Sequence, residues 1–186
     1  MNEFHLETQR LTIRNWQVSD QELFYILNSD EKVMEFFPFR RNRSQSDKLM
    51  NDLNITIRAK GYGFTAIAIK ATNEPIGFCG LSDANLSEEL GKQVIEIGWR
   101  LAPQFVGNGY VTEAAGALLN FGFEKMRLSE IVSFAVHNNH RSLAVMQRIG
   151  MIRVPSLDFD HPRVPDIHPH LKRHLVYCLK KPKNQV

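Results

Sequence analysis

The sequence predicts a mixed α/β fold in a single domain spanning residues 1–186, and three observations carry that expectation. Short stretches in which apolar residues alternate with a period of two are interleaved along the chain with stretches at helical spacing. A length of 186 residues suits one domain with a sizeable core. No internal repeat, low-complexity tract or linker-like break divides it.

"HLETQRLTIRNW" reads as a first strand, with Leu11 and Ile13 alternating with polar residues. "SDQELFYILNSD" reads as a helix capped by Ser19 or Asp20, its apolar stripe formed by Leu23, Ile26 and Leu27. The loop "EFFPFRRNRSQSD" follows, with a basic cluster at Arg40, Arg41 and Arg43. A second helix is expected from Ser44 or Ser46 to Gly61, with Leu49, Leu53 and Ile57 on one face.

The period then switches. "FTAIAIK" and "PIGFCGLSD" read as strands joined by a turn at Asn73-Glu74-Pro75. "VIEIGWRL", residues 94–101, reads as a strand whose central Gly98 signals a bulge or a close backbone approach. Further on, "EIVSFAV", "MIRVPSLDF" and "KRHLVYCL" read as strands, and "NNHRSLAVMQRIG" as a capped helix closed by Gly150.

Between them, "QFVGNGYVTEAAGALLNFGF" poses a choice. Asn108-Gly109 is a strong hairpin signal, but a hairpin needs alternation on its far side. Instead Val111, Ala114, Ala115, Leu118 and Leu119 recur at helical spacing. The unit is therefore a strand (94–101), a glycine loop (102–109), a helix (110–126) and a strand (130–136), the two strands being parallel neighbours. The helix's first turn has unpaired N–H groups, Glu113 suits its positive end, and Gly107 and Gly109 let the backbone approach a ligand. Such a loop suits a pyrophosphate. It equally fits a tight left-handed connection that binds nothing. Thr112 departs from a dinucleotide G-x-G-x-x-G, and no Gly-Lys-Ser/Thr is present.

The company of this loop resembles the GNAT superfamily of acyl-CoA-dependent N-acyltransferases, above all the branch containing the N-terminal acetyltransferases of ribosomal proteins. Gln104-Phe105-Val106-Gly107-Asn108-Gly109 fits that superfamily's Gln/Arg-x-x-Gly-x-Gly/Ala loop. "LETQRLTIRNW", "IEIGWRLAPQFVGNGYVTEAA" and "NNHRSLAVMQRIGM" resemble the branch in the expected order. The resemblance implies a mixed sheet flanked by helices, with two parallel strands that splay apart. It also implies acetyl-CoA as donor and a primary amine as acceptor, either a protein N-terminus or a small molecule.

By the same resemblance, the pantetheine arm pairs with the free edge of strand 94–101, meeting amides around Arg100, Leu101 and Ala102. One such donor would hold the developing oxyanion. The pyrophosphate would lie on Gln104, Phe105, Val106, Gly107, Asn108, Gly109, Tyr110 and Val111. Glu96 would act as base, partial burial raising its pKa toward the working range. A solvated edge carboxylate or an ion pair with Arg100 is the bland reading. Gly98 marks the bulge in the family; a packing glycine is its alternative. Asn139 and Ser142 would position the cofactor near the thioester sulfur, or serve only as an N-cap and a helix-surface residue. Many relatives carry an acid tyrosine four residues after Ser142. Here Met146 stands there, leaving Ser142 as the candidate acid, or a thiolate that leaves unaided.

A formal charge of +3 gives no argument for nucleic acid or an anionic membrane. The first residues contain no apolar signal region, and no run approaches a membrane span, so a cytoplasmic location is expected. Cys79 and Cys178 fit a reducing compartment, as small buried hydrophobes. His161, His168, His170 and His174 match no zinc spacing, so no metal is expected. Instead "FDHPRVPDIHPHLKRH" reads as a proline-stiffened loop at the acceptor site. His137 is a further residue that could face the thioester. Arg40, Arg41 and Arg43 favour an acidic partner, whereas Asp158, Asp160 and Asp166 favour a cationic amine. A monomer or homodimer is expected. A non-catalytic acyl-CoA sensor and a nucleotide-binding protein are the alternative functions.

Overall fold

A computed structural model describes residues 3–182. Its strands are β1 (His5–Glu7), β2 (Leu11–Arg14), β3 (Phe64–Ile69), β4 (Pro75–Asp83), β5 (Ile95–Leu101), β6 (Glu130–Val136), β7 (Ile152–Arg153), β8 (Phe159–Asp160) and β9 (Arg173–Lys180). Its helices are α1 (Gln21–Ser29), α2 (Arg43–Lys60), α3 (Ser87–Leu90), α4 (Tyr110–Glu124) and α5 (His140–Arg148). The strands form one sheet in the order β1-β2-β3-β4-β5-β6-β9-β7, with β8 also on β9. Only β5 and β6 run parallel, joined by the α4 crossover that the sequence predicts.

Several boundaries differ from expectation. The first predicted strand is a hairpin, because Thr8 folds back to bond Leu11 and splits it into β1 and β2. In α1 the buried residues are Phe24, Leu27 and Asn28, while Ile26 faces outward. The α2 cap is Asn42, earlier than the serines, with a reciprocal Asn42–Gln45 capping box. Gly61 ends that helix in the left-handed region as expected. "MIRVPSLDF" is not one strand: Pro155 starts a 3-10 turn that separates β7 from β8.

Cross-strand partners share a face, so the registers sort the sheet into two surfaces. Leu81, paired with Ile97, lies on the face that meets α4, since a Cβ on Gly122 would crowd Ile131 and Leu81. Glu96, Gly98, Arg100, Phe78 and Phe64 share the opposite face, together with Phe134, Val176 and His174 across the β6 and β9 registers. That face receives α1, whose Leu27 carbonyl accepts from Arg100.

Candidate active site

The parallel pair is in register only at Glu96 and Val132. Beyond that point β5 and β6 diverge, and the Ser133 hydroxyl bridges the opening by donating to Ile97 O at 2.8 Å. The divergence opens a cleft of about 1320 Å³ through the sheet. One end is walled by the glycine loop, α4 and α5. The other is walled by residues 32–41 and by the loop carrying His161, Arg163 and Val164.

Backbone parity decides which amides of β5 reach the cleft. Ala102 N–H donates to Ile76 O at 3.0 Å, so even-numbered residues direct their backbone groups toward β4. The amides of Arg100 and Ala102 are therefore turned away from the opening, and Ala102 is fully buried. Trp99 and Leu101 carry the free edge instead, as the exposure of Ile97 O to Ser133 confirms. Trp99 is thus an edge residue the sequence reading missed. Strand alternation shows that neighbours face opposite ways, but not which parity faces which neighbour.

Gly98 does not mark a bulge. The β4–β5 register runs unbroken through Gly80 and Gly98, and the irregularity in the sheet lies at Ile67/Ala68 in β3. A Cβ on Gly98 would sit 3.0 Å from Phe64 Cε1, so the residue is a packing glycine.

The loop before α4 is left-handed at Gly107 (φ 92°) and Gly109 (φ 76°), the latter capping the helix. The first helical bond is Glu113 N–H to Gly109 O. Every amide from Gly107 to Thr112 lacks an acceptor within the described residues, so the run presents its N–H groups together at the positive end of α4. Arg10 braces the outside of this turn. It donates to Asn108 O at 3.0 Å and Glu113 at 2.6 Å, and stacks on Tyr110. Glu113, read from sequence as a partner of the helix dipole, also accepts from Thr8 and ties the β1–β2 hairpin to α4.

Of the remaining expected residues, Phe105, Val106, Tyr110, Val111, Asn139 and Ser142 line the cleft with Gly107 and Gly109. Gln104 is exposed and off the wall, and the Asn108 side chain is turned back to Phe105 O. Asn139 is indeed the α5 cap: its Oδ1 accepts from Ser142 N–H at 3.2 Å. The Ser142 hydroxyl has no hydrogen-bond partner among the described residues, and Met146, one turn further along α5, is buried.

Glu96 lines the cleft without a hydrogen-bond donor among the described residues. Burial pushes its carboxyl up to about 8, opposed only by the nearby charge of Arg163. No ion pair joins it to Arg100, whose Nη1 bonds Leu27 O and Asn28 Oδ1 at 2.9 and 3.0 Å. His161 and His174 lie on the same side, 4.9 Å apart, among Phe134 and Phe159. Burial lowers His161 to about 4 and lowers His174 as well, which favours the neutral form of each ring. His137 is exposed and off the cleft.

The two charged clusters resolve differently. Asp158, Asp160 and Asp166 are each taken by a neighbouring cation, Arg153, Arg173 and Lys172, so they offer no seat for an amine. Arg43 pairs with Glu22 and Asp47, whereas Arg41 turns into the cleft. Cys79 is buried with its thiol pushed far up by burial; Cys178 is only half-buried. Among the described residues no group of three or more His, Cys, Asp or Glu is placed to hold a metal ion, and no helix is long and apolar enough to cross a membrane.

A splayed parallel pair, a free strand edge, and a cradle of helix-entry amides on the same cleft as a half-buried carboxylate define an acyltransferase architecture. Residues 10–152 match the family model described as an acetyltransferase (GNAT) domain, and the chain belongs to that family. It is an acetyltransferase. It is 30% identical over 149 residues to an uncharacterized N-acetyltransferase, YnaD, of Bacillus subtilis, covering 80% of this chain and 83% of that one. A GNAT-family acetyltransferase from Bacillus anthracis shares the fold with a TM-score of 0.77 at 24% identity, over 95% of this chain and 98% of that one. A ribosomal-protein alanine acetyltransferase from Vibrio fischeri does so at 0.72 and 14% identity, over 96% and 99%. MccE, a microcin self-immunity acetyltransferase solved with acetyl-CoA and AMP, does so at 0.73 and 17%, over 94% of each chain.

Proposed function

We propose that this acetyltransferase moves the acetyl group of acetyl-CoA to a primary amine, of a small molecule or a protein N-terminus, by direct attack on the thioester. One observation carries the reading: the residues whose amides lack acceptors at the α4 entry, Gly107, Gly109, Tyr110, Val111 and Thr112, line the same cleft as the half-buried Glu96. Acetyl-CoA supplies the activated acyl group.

The chain's own residues do the rest. Amides 107–112 meet the pyrophosphate, where Gly107 and Gly109 place no Cβ between backbone and phosphate oxygens. The free edge at Trp99 and Leu101 pairs with the pantetheine amides. The Leu101 N–H is the donor for charge developing on the carbonyl oxygen. Glu96 takes a proton from the incoming ammonium, directly or through water, and a carboxylate near 8 suits that transfer. The Ser142 hydroxyl, free of protein partners, is placed to supply a proton or a water to the departing thiolate. Among the described residues no cysteine lines the cleft, and direct attack on the thioester forms no acyl-enzyme. The reading takes the cytoplasm as the protein's location, which the free thiols support.

The test is release of free thiol from acetyl-CoA over a panel of amines, alongside thermal shift with acetyl-CoA, ATP and NAD. Turnover together with stabilisation by acetyl-CoA is the expected result. Tight acetyl-CoA binding with no turnover on any amine would leave a sensor. Stabilisation by ATP or NAD but not acetyl-CoA would sink the reading.

A further inference from the structure

The acceptor end of the cleft holds a charge arrangement that the proposed chemistry does not use. Asn28 Oδ1 receives Nη1 of Arg100 at 3.0 Å and Nη1 of Arg41 at 3.4 Å. Two guanidinium groups thus converge on one neutral oxygen, and among the described residues neither has a carboxylate within 4.0 Å. Like charges this close are costly away from water, and proteins normally place an acid between them.

The Arg100 side chain adds a direction. Its Nη1 is occupied by Leu27 O and Asn28, while Nε is buried without any hydrogen-bond partner. Nη2 likewise has no acceptor among the described residues, leaving the Nε–Nη2 edge, two parallel donors in one plane, unfilled. That edge matches the two oxygens of a carboxylate. Phe37 and Phe78 lie against the guanidinium at 4.4 and 5.2 Å, and Arg41 lies over Phe39 at 4.6 Å. Phe37 and Phe39 are themselves partly exposed in the cleft wall.

Placement on the sheet connects this pocket to the base. Glu96 and Arg100 are four residues apart on one face of β5, with Gly98 between them carrying no side chain. A strand rises about 3.3 Å per residue, which puts their Cα atoms about 13 Å apart. Both residues lie on the face that lines the cleft, so a small molecule bound there can face both.

We propose that the acceptor is a small amino acid-like molecule with an apolar or aromatic body, its carboxylate held by Arg100 and Arg41 and its amine presented to Glu96. This rests on the acetyl-transfer reading and names the class of its acceptor. A protein N-terminus supplies no such carboxylate unless an acidic side chain follows it, so the small molecule is favoured.

The experiment compares matched probes that differ only in the carboxylate. N-acetylphenylalanine and N-acetylphenethylamine are titrated against the CoA-loaded protein by calorimetry. Phenylalanine against phenethylamine, and 4-(aminomethyl)benzoate against benzylamine, are compared as acceptors. The carboxylate-bearing member of each comparison is expected to win by about tenfold or more, the effect of a charge-assisted bidentate contact. Arg41→Ala and Arg100→Leu should each erase that preference, and Arg41→Ala keeps the test valid if Arg100→Leu unfolds α1. Equal binding of the two products to the wild type, or a preference that survives Arg41→Ala, would overturn the inference. Because product binding is read without turnover, and acetyl-CoA binding is read separately, failure here differs from failure of the acetyl-transfer reading.

Discussion

Glu96 shows how one residue's environment sets its chemistry. Its carboxyl, raised to about 8 by burial, must lose a proton before it can accept one from the amine. Activity should therefore rise with pH through about 8. Glu96→Gln should lower kcat/KM by about 100-fold and remove that limb, checked by pH–rate profiles of both proteins. The same shift acts on stability. The folded state keeps a proton that the unfolded chain releases above about 4.5, so Glu96 makes folding less favourable as pH rises from about 4.5 to about 8. Thermal melts of Glu96→Gln should gain on the wild type across that window and run parallel above it. The family resemblance made Glu96 legible as a candidate base. The depth of its burial was not legible, because His161, Arg163, Val164 and His174, which line the same cleft, come from distant parts of the chain.

At the scale of elements, the strand–loop–α4–strand unit is local and was readable. Helical periodicity after Gly109 predicted the crossover and the parallel pair, and both are present. The amide run depends on left-handed backbone at Gly107, where a built Cβ meets nothing within 4 Å. Gly107→Val should therefore cost only conformational strain, about 1–2 kcal/mol, measured by denaturant unfolding. Its acetyl-CoA Kd should rise by about tenfold or more, because the side chain stands where phosphate must approach; above about 1.4 kcal/mol of loss this is resolvable by calorimetry. Unchanged affinity would remove this loop from the cofactor site. The β7–β8 region was read as a single strand because Pro155 interrupts it less visibly than the surrounding apolar residues suggest continuity.

Across the whole molecule, the N-terminal hairpin is locked to α1 by a buried ion pair. Arg14 and Asp20 meet at 2.6 Å with side-chain exposures of 8% and 1%, and Asp20 also accepts from Gln17 N–H. Asp20→Ala would strand the Arg14 charge in the interior and should destabilise the fold by about 3–5 kcal/mol, read from denaturant midpoints. Ligand linkage acts at the same scale. Acetyl-CoA at 100 times its Kd should stabilise the native protein by about 2.7 kcal/mol, seen as a concentration-dependent rise in Tm.

The sequence by itself determined the period of each long element, the helix entry after Gly109 and the family's signature loop, because these depend on residues close together in the chain. It also placed Glu96 and Arg100 on one face, since strand alternation is a local rule. Only the tertiary structure decided which edge of β5 is free, that Gly98 packs against Phe64, and that Asp158, Asp160 and Asp166 are already paired. It alone brought Arg41 beside Arg100 without an acid between them. These outcomes depend on which segments meet across long loops, and contact between distant residues leaves no periodic trace in the sequence.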